Sequence, residues 1–300
     1  MSKEMILEKI DQAAKILNEK NIDMWMTYVR ETGNMKDPMM DMMVGTGATW
    51  QSAFIITKNG DTHAVIGSLE LENMKTIGTY KNIHSYLKSV KEKLIEVLDS
   101  IKPAKIAINY SHNSSLADGL THGLYLELMD HLKDTKYVNA FISSEEIIAA
   151  LKGRKSAGEL ANMKEAIKET LKIFDEVTKF LKPGVTEKQV AQFVLDLCNK
   201  KGLELSWDAE HCPAIFSGPN TAGAHSGPTD RVIEAGHVVN MDFGVKYNGY
   251  CSDLQRTWYI CFPHEDKAPA DVQRGFDVIK ESITRAANEL KPGKKGWEID

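Results

Sequence analysis

Two aspartates, Asp242 and Asp253, flank an Asn248-Gly249 pair inside the segment Val238–Trp258. Asn-Gly predicts a two-residue hairpin turn, because both central positions need positive φ. Pairing Tyr247 with Tyr250 then sets Gly244 opposite Asp253 and Asp242 opposite Gln255. Side chains alternate along a strand, so the two carboxylates share a face as diagonal neighbours about 7 Å apart at the backbone. Carboxylates that near to one another repel unless a cation lies between them. A pair of divalent ions about 3.5–4 Å apart suits that spacing.

The same alternation has a plainer reading. The aspartate face also carries Asn240, Gly244, Lys246 and Thr257, and the other face carries Val239, Met241, Phe243, Val245 and Leu254. A hairpin with one polar face toward water accounts for that pattern without a metal. Asp is depleted in strands, however, and this face is short-chained near the aspartates, unlike the Lys- and Glu-rich faces that usually meet solvent. Both readings stand on pattern alone.

Other residues that could do chemistry are more scattered. His225 lies in a Gly/Pro/Ser-rich stretch, where a lone histidine is commonly a turn residue, and His211 and His237 have no motif around them. Five methionines fall within Asn34–Met43. Copper binding is conceivable for such a cluster, but loop or interface packing by an adaptable side chain is its ordinary use. The four cysteines form no CxxC pair and predict reduced thiols in a cytoplasmic protein.

The elements that must position these residues fall into two domains, 1–150 and 151–300. In the first, Ile6, Ile10, Ala13, Ala14 and Leu17 recur at helical spacing, and Ile22–Val29 reads as a strand. Ala53–Ile56 and Thr62–Ile66 flank Asn59-Gly60, a second type I′ hairpin signal. Lys105–Tyr110 predicts a strand, with helical stretches near 87–99 and 114–132. Ser143-x-x-Glu146 predicts the start of a short helix, and Ser156-x-x-Glu159 is a capping box opening a long one. The long helix turns Leu160, Met163, Ile167, Leu171, Phe174 and Leu181 inward. Thr186-x-x-Gln189 opens the next, with Val190, Phe193, Val194 and Leu197 inward. Leu181-Lys182-Pro183-Gly184 is echoed by Leu290-Lys291-Pro292-Gly293, the latter after a helix with Val272, Phe276, Ile279, Ile283, Ala287 and Leu290 inward. The shared helical context predicts a duplicated half-domain whose second copy lacks most of its sheet. A formal net charge of -5 and 42% hydrophobic residues without a membrane-length apolar run argue against nucleic-acid and membrane partners.

The stretch Asn240-Met-Asp-Phe-Gly … Gly249-Tyr-Cys-Ser-Asp-Leu-Gln-Arg-Thr257 resembles the first metal-ligand hairpin of the pita-bread metallopeptidases, the creatinase, prolidase and aminopeptidase P group. Ser217-Gly-Pro-Asn220 and His225-Ser-Gly-Pro228 are similar to the family stretch whose histidine contacts substrate. The resemblance implies an α/β (α+β) fold, with a creatinase-like N-terminal domain and an incomplete pita-bread catalytic domain. It implies Asp242 and Asp253 as metal ligands, His225 as a hydrogen-bond donor to substrate, and two divalent ions activating a bridging water. Manganese or cobalt suits a carboxylate-rich set, with zinc also compatible. The implied substrate is a peptide or dipeptide with proline after the scissile bond, and the implied assembly is a homodimer. Where the family usually has Thr, this chain has Gln255, placed to hydrogen-bond Asp242 from outside the ligand set. The family's remaining His and two Glu ligands would lie beyond Asp300, and no histidine follows His264, so this chain by itself is expected to be inactive. A metal-free creatinase-like amidinohydrolase and a non-enzymatic binding protein on the same fold are the alternatives. The retained aspartates speak against the first.

Overall fold

In the computed structural model, which describes residues 1–219 and 227–300, the chain divides into two units, Met1–Ala161 and Asn162–Asp300. The first begins with helix α1 (Lys3–Glu19), capped by Ser2, whose stripe of Ile6, Ile10, Ala13, Ala14 and Leu17 is buried as its spacing predicts. There follow β1 (Met24–Val29), α2 (Met40–Met43), β2 (Ser52–Thr57), β3 (Thr62–Gly67), α3 (Leu71–Ile77), β4 (Asn82–Tyr86) and α4 (Val90–Ile101). Then come β5 (Ile106–Ile108), α5 (His122–Leu132), β6 (Phe141–Ser143) and α6 (Glu145–Gly153). The strands form one mixed sheet in the order β4-β3-β2-β1-β5-β6. It is antiparallel through β1, β2 and β3 and parallel at the other contacts.

Strand alternation separates two apolar layers. Trp25 and Val29 of β1 join a core with α1, α2 and α6, while Met24, Met26 and Tyr28 join another with α4 and α5. Met39, Met40 and Met43 are fully buried in the first of these layers, so the methionine cluster serves as core packing, and only Met35 is widely exposed. Between the layers, Asn109 fills its amide: its Oδ1 accepts from Trp25 Nε1 at 2.7 Å and Ser144 Oγ at 2.8 Å. Its Nδ2 donates to the buried Asp37 carboxylate at 2.8 Å.

Three sequence expectations change here. The unit extends past residue 150, because α6 packs Ile147, Ile148 and Leu151 into the α1 layer and Glu159 forms a buried ion pair with Lys9 at 2.9 Å. The β2–β3 turn is not type I′. Gly60 has positive φ and Asn59 does not, and the Gly60 N–H bonds to the Thr57 carbonyl, as in a type I turn closed by a left-handed glycine. The N-cap position of α6 is Ser144, one residue later than the motif implies; its hydroxyl goes to Asn109, and it is Ser143 Oγ that accepts from the Glu145 N–H at 3.1 Å. The Ser156–Glu159 box does form, with Ser156 N–H donating to Glu159 at 2.7 Å and Glu159 N–H to Ser156 Oγ at 3.2 Å.

The second unit takes in most of α7 (Ala157–Phe180), then α8 (Glu187–Lys201), β7 (Glu204–Leu205), β8 (Ala214–Ser217), β9 (Val238–Phe243), β10 (Val245–Tyr247), β11 (Tyr250–Cys251), β12 (Leu254–Tyr259) and α9 (Ala270–Glu289). Its strands form two sheets, β12-β9-β8 and β11-β10-β7. Helix α8 has the expected Thr186–Gln189 capping box, and its Val190 and Val194 are buried, with Phe193 and Leu197 partly so.

Two helices differ from the reading of their apolar stripes. In α7 the buried line is Ala166, Thr170, Ile173, Phe174 and Val177, while Leu160, Ile167 and Leu171 remain substantially exposed. The Thr170 hydroxyl bonds to Ser252 Oγ at 2.7 Å on this inward side of the helix. Helix α9 forms, but none of its residues is buried; Phe276, Ile279 and Ile283 are 48%, 62% and 65% exposed. Periodicity identified its apolar side and could not supply a layer to cover it.

Candidate metal centre

Strands β9 and β12 pair antiparallel, with Asp242 opposite Gln255 and Asn240 opposite Thr257. At the tip Tyr247 faces Tyr250, and both Asn248 and Gly249 have positive φ, as a type I′ turn requires. The register is therefore the one that the turn chemistry dictates. It puts Val239, Met241, Phe243 and Val245 wholly in the core and leaves Asn240 and Asp242 on the open face. Asn240 Nδ2 donates to Thr257 Oγ1 at 3.0 Å, which satisfies that pair across the ladder.

The hairpin is pinched between the turn and the aspartates. Ser252 is buried, and its hydroxyl meets Thr170 Oγ1 at 2.7 Å while accepting from the Val245 N–H at 2.9 Å. Ser206 Oγ donates to the Ser252 carbonyl at 2.7 Å, and the Ser206 N–H to the Gly244 carbonyl at 3.0 Å. Any Cβ on Gly244 would run into the Ser252 carbonyl oxygen and crowd Ser206 Oγ at 2.7 Å. The backbone of Ser252 is thus fixed from three directions, and Asp253 follows directly.

Asp242 is half-buried, whereas Asp253 and Gln255 are exposed. Burial pushes the Asp242 carboxyl above its ordinary value, and the Asp253 carboxylate beside it pushes the same way. The Gln255 amide opposes the shift as a hydrogen-bond donor. Among the described residues, Asp242 Oδ1 nevertheless has no hydrogen-bond partner, and it is shielded from solvent. A buried acceptor left without a donor is costly. A cation between the two carboxylates would satisfy that oxygen and cancel the repulsion, so the donor set fits a hard or borderline divalent ion. Among the described residues, no three His, Cys, Asp or Glu side chains come together as a metal-holding group. The fit rests on two carboxylates. His225 lies outside the described residues.

Pattern reading missed Glu187, a buried carboxylate at the start of α8. Its Oε1 accepts from Ser217 N–H at 2.8 Å and Ser217 Oγ at 2.7 Å. Its Oε2 accepts from Thr229 N–H at 3.0 Å and Thr229 Oγ1 at 2.6 Å. An acidic residue in a helix's first turn reads as a dipole complement, so its long-range role left no local trace. Beside the open face of β9 and β12, a groove of ≈ 790 Å³ runs along α9, lined by Asn240, Gln255, Thr257, Phe276, Ile279 and Ile283 among others.

The description of metallopeptidase family M24 matches residues 161–300. An uncharacterized peptidase of Staphylococcus saprophyticus is 27% identical over 97% of this chain and 76% of its own length. One of Staphylococcus haemolyticus is 28% identical over 83% of this chain, and the match spans only 64% of that relative. Among solved structures, the Xaa-Pro dipeptidase from Bacillus anthracis superposes with a TM-score of 0.68 at 21% identity, covering 98% of this chain and 75% of that one. The prolidase from Pyrococcus horikoshii OT3 gives 0.65 at 22% identity, over 98% and 75%. These likenesses show a mixed α/β fold of the pita-bread class.

Proposed function

Because residues 161–300 of this chain belong to metallopeptidase family M24, we propose that the whole protein hydrolyses peptide bonds preceding proline with the help of two divalent ions. The observation that carries the reading is the orphaned Asp242 Oδ1 beside a second carboxylate, an arrangement that stabilises nothing until a cation is present. The names of the structural neighbours, an Xaa-Pro dipeptidase and prolidases, support the choice of substrate.

In this reading Asp242 and Asp253 hold the ions, with manganese or cobalt favoured by the oxygen donors. When bound, such ions supply Lewis acidity toward a carbonyl oxygen and lower the pKa of water. Gln255, opposite Asp242 in the ladder, orients that carboxylate from outside the ligand set. The Ser252 pinch holds the backbone leading into Asp253. His225 donates a hydrogen bond to substrate, the role its motif suggests. The working protein is a cytoplasmic homodimer. The 300-residue chain, with two of the ligands, binds at most one ion weakly and does not turn over.

Isothermal titration of this chain with Mn²⁺ tests the assignment. The expected result is at most one weak equivalent, lost in Asp242→Asn and in Asp253→Asn. Two tight sites per chain, or measurable cleavage of an Xaa-Pro dipeptide by it, would overturn the two-ligand reading. In a form extended to the length of the relatives, either substitution should abolish hydrolysis. Near wild-type turnover by both would show that these are not the ligands.

A further inference from the structure

On the α4 side of the first unit, His63 of β3 and His84 of β4 stand together. Their rings are stacked at 15° with centroids 5.4 Å apart, and His63 Nδ1 lies 3.2 Å from His84 Nε2. The parallel register sets His63 opposite Asn82 and Val65 opposite His84, so the two imidazoles are same-face diagonal neighbours near the edge of the sheet. A single hydrogen bond between neutral rings would satisfy one nitrogen of each. The spacing suits another partner as well.

We propose that His63 and His84 form a binding site for a borderline transition-metal dication such as Zn²⁺, separate from the aspartate pair. Two metal–nitrogen bonds of about 2.0–2.1 Å at a tetrahedral angle span about 3.4 Å between nitrogens. The observed 3.2 Å needs only a small ring rotation to bring both lone pairs onto one ion. Imidazole nitrogen favours Zn²⁺, Ni²⁺ and Cu²⁺ over the oxygen-seeking Mg²⁺ and Ca²⁺.

The surroundings keep those lone pairs free. Burial holds both histidines below the ordinary imidazole pKa, and His84 adds to the effect on His63. Of the charged groups nearby, Lys93 acts on His84 in the same sense, while Glu96 on His84 and Asp61 on His63 oppose it. Both rings are therefore neutral at physiological pH, the state that binds metal. A cleft of ≈ 440 Å³ lined by His63, Asp61, Ile101 and Lys102 opens the His63 side of the pair to solvent. Among the described residues no third His, Cys, Asp or Glu completes a ligand group. Water fills the remaining positions, and the affinity is moderate. Bound there, the ion would tie edge strand β4 to β3.

The test uses the full chain carrying Asp242→Asn and Asp253→Asn together, so that the aspartate pair contributes nothing. Zn²⁺ titration should give one equivalent of saturable binding that weakens as the pH is lowered and the imidazoles protonate, and Mg²⁺ should give none. Adding His63→Gln or His84→Gln, each checked for an unchanged circular dichroism spectrum, should weaken Zn²⁺ by at least the roughly tenfold loss seen when only a group orienting a ligand is removed. Zn²⁺ should also raise the melting temperature, and this rise should vanish in either histidine variant. No Zn²⁺ binding in the double aspartate variant, or binding that both histidine variants leave intact, would overturn the proposal. Its failure would leave the aspartate assignment untouched.

Discussion

Asp242 keeps Oδ1 away from solvent and from every donor among the described residues, and it does so beside Asp253. Without a cation this is a destabilising arrangement, and its pH dependence has a definite sign. The folded chain holds a proton on Asp242 to higher pH than the unfolded chain, whose carboxylate titrates near 3.9. Between the two values the native state binds more protons, so stability falls as pH rises through that window. Asp242→Asn should remove this slope and raise the melting temperature of the metal-free chain at pH 7, while destroying Mn²⁺ binding. Thermal melts from pH 4 to 7 would check it, and a variant less stable than wild type throughout would mean that the carboxylate is structurally satisfied. A substitution that strengthens the fold and removes the ligand is what a site organised around an ion predicts.

Among elements, the β9–β12 hairpin depends on two glycines for different reasons. Gly249 has φ +85 and open space around a hypothetical Cβ, so Gly249→Ala costs only backbone strain of about 1 kcal/mol. Gly244→Ala would push against the Ser252 carbonyl and Ser206 together, at about 2 kcal/mol or more. Urea denaturation should order the variants that way, and the Gly244 variant should also lose Mn²⁺ affinity because Asp253 follows the displaced Ser252. Equal costs would mean that the pinch relaxes freely. The hairpin's register was legible in sequence because Asn-Gly fixes the turn and a one-residue slip would bury both aspartates. The inward side of α7 was not legible. That helix has apolar residues on more than one side, and the buried one is that on which Ile173, Phe174 and Val177 join the core and Thr170 meets Ser252, 82 positions away.

For the molecule as a whole, the first unit was the more readable because its strands alternate cleanly between two helix layers. Its extent was misjudged, since Lys9–Glu159 is a long-range pair that a capping box does not announce. Helix α9 shows the opposite limit: amphipathicity gave its apolar side, but nothing local says whether another layer is present to meet it. Phe276, Ile279, Ile283 and Leu290 therefore stand in solvent. The chain should bind a hydrophobic dye such as ANS in its native state, and Ile279→Glu with Ile283→Glu should reduce that signal by more than half without lowering the melting temperature. Unchanged dye binding would place the sticky surface elsewhere.

Glu187 has a consequence for how this protein can change over evolutionary time. One carboxylate grips Ser217 and Thr229 at the same point, so the chain leaves β8 and returns at 229 through a single knot of four hydrogen bonds. Ser217 and Thr229 are thereby held at one carboxylate, whatever number of residues joins them. Lengthening that connection adds only a slowly growing closure entropy, about 0.6 kcal/mol for each doubling. The strands carrying the aspartates do not register its length. Descendants of this chain can therefore change the number of residues between Ser217 and Thr229 while the β9–β12 ladder is inherited unchanged.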